Sequence, residues 1–255
     1  MRLIAKRWAT PASVSKNWWR DFFVPVVGEV MFAPKAGKSE REVDHVVKRS
    51  RARPPLKVLD LACGTGRHSV VFAARGFEVT ALDYSKPFLK EARRTARAAR
   101  QTIRFVNGDM RNLKPHFASD TFGLAVCLYT SFGYFSRRAD DVNVLRAVHR
   151  VLRPGGAFVV NTVNGAGVTK RLRSPISLGS EPLPNVFVIE QARYDARNRQ
   201  TVSTWTIIDT RHAKSRVVRK IIPGQCVLAQ RAEEAADCCR VQDRDGLGNA
   251  AGRPL

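Results

Sequence analysis

Between Lys57 and Asn164 the sequence alternates between two hydrophobic periods, and that alternation constrains the fold more than any other feature. KVLDLA (57–62), FEVTALD (77–83), IRFVNGDM (103–110), FGLAVCLYT (122–130) and AFVVNTVN (157–164) are short apolar runs rich in Val, Leu and Phe. Between them stand RHSVVFAARG, KPFLKEARRTARAAR (86–100) and DDVNVLRAVHRVLRPGG (140–156), whose apolar residues recur at helical spacing. Val142, Leu145, Val148 and Leu152 share one side of the last of these. Pro87 falls in the first turn of its helix, where a missing N–H costs nothing. Short buried strands separated by helices of this size imply βαβ crossovers and a parallel sheet covered on both faces. The expected fold is therefore α/β.

Two segments lie outside that rhythm. Residues 1–56 carry Trp18, Trp19, Phe22, Phe23 and Phe32, then a helix whose Ser39-x-x-Glu42 reads as a capping box. They are expected to form a helical lid or cap region before a core at 57–165. Residues 166–222 contain NVFVIEQARYD, TVSTWTIID and KSRVVRKII, three β-rich runs that predict an antiparallel lobe. The Gly/Pro-rich stretch 173–184 reads as the connection to it. Residues 223–255 form a separate ending.

Composition excludes several classes. No apolar run approaches the length of a membrane span, and the N-terminus lacks the apolar core of a secretion signal. The five cysteines are odd in number with no C-x-x-C pair, which argues against a disulfide framework and against zinc. A cytoplasmic protein without metal or membrane is expected. The 44 basic residues against 22 acidic ones give a net charge of +22. They are scattered, without interleaved aromatic residues, so a solvated surface is the favoured reading and nucleic acid a less favoured partner.

LDLACGTGRHS is the string that carries chemistry. Asp60 closes a buried strand, and a turn containing Gly64 and Gly66 leads into a helix, so that backbone can approach a ligand closely. Asp83 ends the next strand, where a carboxylate can accept both hydroxyls of a ribose. Asp109, in GDM after the third strand, can accept from an exocyclic adenine amine, with Met110 against the ring. A nicotinamide site would want a third glycine where Arg67-His68-Ser69 stands. Asp60 beside the loop would repel a pyrophosphate but can help hold an amino group. The implied ligand has adenosine, a cationic amino-acid end and no phosphate, which describes S-adenosylmethionine.

With those motifs on the page, residues 57–164 resemble a class I S-adenosylmethionine-dependent methyltransferase. They match its glycine motif, its ribose carboxylate, its GDM segment and its LRPGG turn. Within that superfamily LDLACGTGRHS, GDMR and TSFGYF resemble a bacterial group acting on small molecules, and the likeness runs over roughly 1–220. The resemblance implies a Rossmann-like methyltransferase sheet with an antiparallel β insertion after the fifth strand. It implies the methionine end of the cofactor at Asp60, Ala62, Gly64 and Arg67, with Cys63 and Gly66 also cofactor-binding, and the ribose at Asp83 and Tyr84. Asp109 and Met110 would flank the adenine, and Leu128 would lie beneath the cofactor. Tyr129, Ser131, Phe132 and Tyr134, with Trp18 and Trp19 as a lid, would face a small-molecule N or O acceptor. His68 and Tyr134 are the candidates for a base, if one is needed. The alternatives are an RNA or protein methyltransferase and a non-catalytic cofactor-binding remnant.

Related enzymes continue with a helix resembling YSxxELxxLLxxAGF and two further strands, and residues 223–255 resemble neither. The basic excess also stops there. Read from the second nucleotide of each codon, Glu233 and Glu234 become Arg or Lys, and Cys238 and Cys239 become Ala or Val. A frameshift near 222–227 is thus compatible with this ending. It predicts a sheet lacking its last two strands and a poorly ordered tail.

Overall fold

The computed structural model describes residues 17–32, 37–135, 137–162, 165–172, 174–195 and 200–223. The expected tail, and the start of the expected lid, lie outside them. Three helices come first: α1 (Trp18–Phe22), α2 (Pro25–Met31) and α3 (Lys38–Ser50). Then β1 (Lys57–Leu61), α4 (Arg67–Ala74), β2 (Glu78–Asp83), α5 (Lys86–Ala98), β3 (Arg104–Asn107), β4 (Phe122–Cys127), α6 (Arg138–Val151) and β5 (Leu152–Val160) follow in strand–helix alternation. The strands form one parallel sheet in the order β3-β2-β1-β4-β5. Alternate side chains enter two cores: Leu59, Leu61, Ala125 and Cys127 on one face, Val58, Leu124 and Val126 on the other. This double burial is why the strands show no polar alternation in sequence.

The local signals hold at α5, where Pro87 sits in the first turn and the Ser85 hydroxyl accepts from the Phe88 N–H. They fail at α3. Its N-cap is Gly37, in the left-handed region, so Ser39 and Glu42 are not a capping box and their side chains are free for other partners. The last crossover also differs from expectation. Helix α6 ends at Val151 and β5 begins at once, with Phe122 facing Leu152 and Leu124 facing Ala157. The Arg153–Gly156 segment bulges out of that register, with Gly155 at φ +74°. On the outer edge of β5 no strand pairs among the described residues.

After α7 (Gly165–Arg171), β6 (Ile176–Leu183), β7 (Val186–Asp195), β8 (Gln200–Asp209) and β9 (Arg216–Pro223) form an antiparallel meander. Strand β6 was unexpected, because Gly179 and Pro182 disguise it as a connection. It is an edge strand, and its register shifts between Ser180 and Leu183, where Pro182 is tolerated. The inner face of the meander packs on the first helices: Val186, Val188 and Ile207 share a core with Trp18, Phe22 and Val27. Arg211 bridges to Glu29 of α2 at 2.7 Å, and the Lys220 ammonium donates to the Asp21 carbonyl.

Gly66 lets the start of α4 approach α5 closely. Its φ is +76°, and a Cβ there would stand 3.0 Å from that of Ala92 on α5. Gly66→Ala is expected to destabilise the fold by about 1–2 kcal/mol through backbone strain. Urea denaturation monitored by circular dichroism measures it.

Candidate active site

The carboxyl ends of β1, β2, β3 and β4 converge on a cavity of ≈ 430 Å³, closed from above by residues of α1 and α2. That position follows from the order β3-β2-β1-β4, in which neighbouring strands leave the sheet on opposite sides of β1 and open a crevice at its end. The volume is in the range of single-ligand sites. Beyond β1 the chain takes left-handed φ values at Ala62 (+54°), Gly64 (+57°) and Gly66 (+76°). Ala62 holds that conformation without glycine's freedom, a strain of the kind that collects at binding sites.

Three carboxylates mark the cavity, each in a different electrostatic state. Asp60 is buried and accepts from the Ser69 hydroxyl at 2.5 Å. Burial, with a smaller contribution from the Asp83 charge, pushes its carboxyl up to about 7. Asp83 accepts from the Gly64 N–H at 2.8 Å and the Ser85 N–H at 2.7 Å, so it shapes the glycine loop and the start of α5 together. Burial raises its carboxyl as well, against those amides. Asp109 is gripped by the Arg111 guanidinium, with Nη2 at 2.6 Å and Nε at 3.0 Å. Burial opposes its ionisation, but Arg111 outweighs that and holds the carboxyl below its ordinary range.

The start of α4 carries Arg67 and His68. Arg67 Nη1 donates to Glu42 at 2.8 Å and to the Ser39 hydroxyl at 3.0 Å, and its guanidinium stands 4.6 Å from the Tyr129 ring centroid. Its Nη2 is buried without a hydrogen-bond partner. His68 Nε2 lies 2.7 Å from the same Glu42 oxygen. Burial, then the Arg67 charge, lowers the imidazole to about 4, so His68 is neutral and donates to the carboxylate. Burial opposes ionisation of Glu42, yet the bonds from His68 and Arg67 keep it charged.

Most residues singled out from the sequence meet here. Asp60, Ala62, Cys63, Gly64 and Arg67 line the cavity, as do Asp83, Tyr84, Asp109, Met110 and Leu128. On the acceptor side Tyr129, Ser131, Tyr134 and Trp19 line it, and so does His68. Gly66, Phe132 and Trp18 do not. Gly66 serves helix packing. Phe132 is fully buried in the core, and Phe135 takes the cavity position after Gly133 turns the chain at φ +88°. Trp18 is anchored away from the cavity, its indole donating to the Tyr134 carbonyl at 3.1 Å.

Sequence reasoning missed several contributors. Phe32 ends α2 against the glycine loop, 2.9 Å from where a Gly64 Cβ would be. Arg111 stacks 4.4 Å from the Phe135 centroid while holding Asp109 and reaching Asp140 at 3.3 Å. GDMR contains it, and an arginine two residues from a carboxylate was the available signal. Among the described residues no cluster could hold a metal ion, and no helix is long and apolar enough to cross a membrane.

Residues 58–156 match the family described as "Methyltransferase domain". This segment is similar to a methyltransferase domain. A demethylmenaquinone methyltransferase of Thermus thermophilus is 37% identical over 123 residues, 47% of this chain and 51% of that protein. A glycine/sarcosine N-methyltransferase of Aphanothece halophytica is 29% identical over 127 residues, 50% of this chain and 48% of that protein. The chain thus spans about half the length of the curated relatives it matches. In fold it is similar to an S-adenosylmethionine-dependent methyltransferase from Clostridium acetobutylicum, with a TM-score of 0.68, 17% identity and 86% of each chain covered. The fold is Rossmann-like, and a neighbour in fold, the amino pentose methyltransferase CalS10 of Micromonospora echinaspora, at 21% identity and a TM-score of 0.60, was solved with S-adenosylmethionine bound. The residues present suit it: buried carboxylates for a ribose and an ammonium group, and an unpartnered guanidinium nitrogen for a carboxylate.

Proposed function

We propose that this chain transfers the methyl group of S-adenosylmethionine to a nitrogen or oxygen of a small molecule. One observation carries the reading: Asp60, Asp83 and the unpartnered Arg67 Nη2 belong to one cavity at the carboxyl edge of a parallel sheet. In this reading Asp83 accepts the ribose hydroxyls, Asp60 faces the ammonium group and Arg67 the carboxylate. Asp109 and Met110 flank the adenine, with Arg111 keeping Asp109 ionised. Bound cofactor supplies a methyl group already activated by its sulfonium. The chain's part is then alignment and exclusion of water.

Trp19, Tyr129, Ser131, Tyr134 and Phe135 are the acceptor-facing residues, Phe135 replacing Phe132. The enclosed, aromatic-rich cavity supports a small acceptor, and the glycine/sarcosine N-methyltransferase named above lends a nitrogen acceptor as precedent. His68 is a poor base, because burial lowers its imidazole to about 4 and its Nε2 is committed to Glu42. An amine acceptor presented in its free form needs none.

Incubation with methyl-labelled S-adenosylmethionine and fractionated small-metabolite pools tests the proposal. Label entering a low-mass, nitrogen- or oxygen-methylated product is the expected result. Salt-sensitive labelling of RNA or protein alone, or saturable binding with no transfer, would overturn it.

A further inference from the structure

The matched domain begins at residue 58, yet the start of its first helix is gripped from outside by α3. One oxygen of Glu42 receives both Arg67 Nη1 at 2.8 Å and His68 Nε2 at 2.7 Å. One helical turn earlier, the Ser39 hydroxyl takes a second bond from the same Arg67 nitrogen. Tyr129, from the end of β4, covers the guanidinium, and Lys38 stands over the same ring at 5.0 Å. Arg67 is therefore held by α3 and by Tyr129, while its buried Nη2 has no hydrogen-bond partner. Glu42 itself is not part of the cavity wall.

We propose that Glu42 is a positioning residue, which fixes Arg67 so that Nη2 meets the carboxylate of the cofactor's amino-acid arm. The proposal rests on the cofactor orientation given above. A free arginine side chain loses much rotational freedom when a ligand orders it. Glu42 and Ser39 impose that order beforehand and leave one face of the fork for the ligand. The carboxylate also balances a guanidinium that is mostly out of water. His68 adds rigidity from the next residue, its N–H completing the coordination of Glu42. The i,i+3 pair Ser39–Glu42 is available because Gly37 caps α3 through its backbone.

Two probes separate positioning from general stability. S-adenosylhomocysteine carries the amino-acid arm; 5′-methylthioadenosine is the same nucleoside thioether without it. In titration calorimetry, Glu42→Ala is expected to lose on the order of ten-fold in affinity for S-adenosylhomocysteine. Its affinity for 5′-methylthioadenosine should stay unchanged. Glu42→Gln should fall between, because an amide oxygen still accepts from Arg67 but carries no charge. If Glu42→Ala does not fold, Glu42→Gln carries the same comparison. Equal losses for both probes, or no loss for either, would overturn the proposal. A wild-type protein that binds neither probe would overturn the cofactor reading, and the proposal with it.

Discussion

Asp83→Ala is expected to lower the affinity for S-adenosylmethionine at least a hundredfold, the largest single effect available in this chain. The carboxylate does two jobs. Its oxygens hold the Gly64 and Ser85 amides, which fixes the shape of the loop under the cofactor. In the proposed cofactor orientation the same oxygens also accept from the two ribose hydroxyls. Hydrogen bonds to a charged group contribute roughly 1.5–3 kcal/mol each, so losing two exceeds a hundredfold before the loop relaxes. Global stability should change little by comparison, because burial already strains the ionised carboxyl. Calorimetric titration reads the affinity, and circular dichroism confirms the fold. Affinity retained within threefold would sink the ribose assignment.

Asp60→Asn should raise the stability of the cofactor-free protein above pH 7, and weaken cofactor binding at the same pH. The sign follows from the carboxyl, which lies at 3.8 in an open chain and is pushed to about 7 by burial. Between those values the folded protein holds a proton that the unfolded chain has lost, so this group's contribution to stability falls as pH rises. The full difference is about 4 kcal/mol, reached above pH 7. His68 acts in the opposite sense over nearly the same window. Its imidazole is lowered from 6.5 to about 4, so its contribution rises with pH. These two contributions largely offset each other between pH 4 and 6.5, so the mutant-minus-wild-type difference is what isolates Asp60. That difference should grow from pH 4 to 7 in urea titrations, and a pH-independent difference would refute it. Asparagine preserves the bond from Ser69, so the comparison removes charge and little else. A cofactor ammonium group restores the ionised form, so binding near neutrality should release a proton.

What could be read from the sequence were features that depend on one strand or one turn. The five parallel strands, the Pro87 start of α5 and the convergence of Asp60, Asp83 and Asp109 all follow from local period and strand ends. Features that depend on two distant segments were not readable. Ser39-x-x-Glu42 has the spacing of a capping box, and only the approach of α4 makes it a grip on Arg67. Phe132 and Phe135 are equivalent in composition; the left-handed run at Tyr129, Thr130 and Gly133 decides which one faces the cavity. Strand β6 has little apolar alternation of its own and exists because β7 offers an edge.

The ties from the antiparallel meander to the first helices give the molecule a division of labour. Arg211 holds α2 through Glu29, Trp205 meets Phe22 at 6.1 Å, and α2 ends in the Phe32 ring that presses on Gly64. Apart from Gly64, none of these residues lies within 58–156, the segment that matches the methyltransferase-domain family. The packing of the loop beneath the cavity thus depends on chain outside the matched segment, from the first helices and from the meander. Substitutions in the meander can therefore shift the loop beneath the cavity while every residue of the matched segment stays the same.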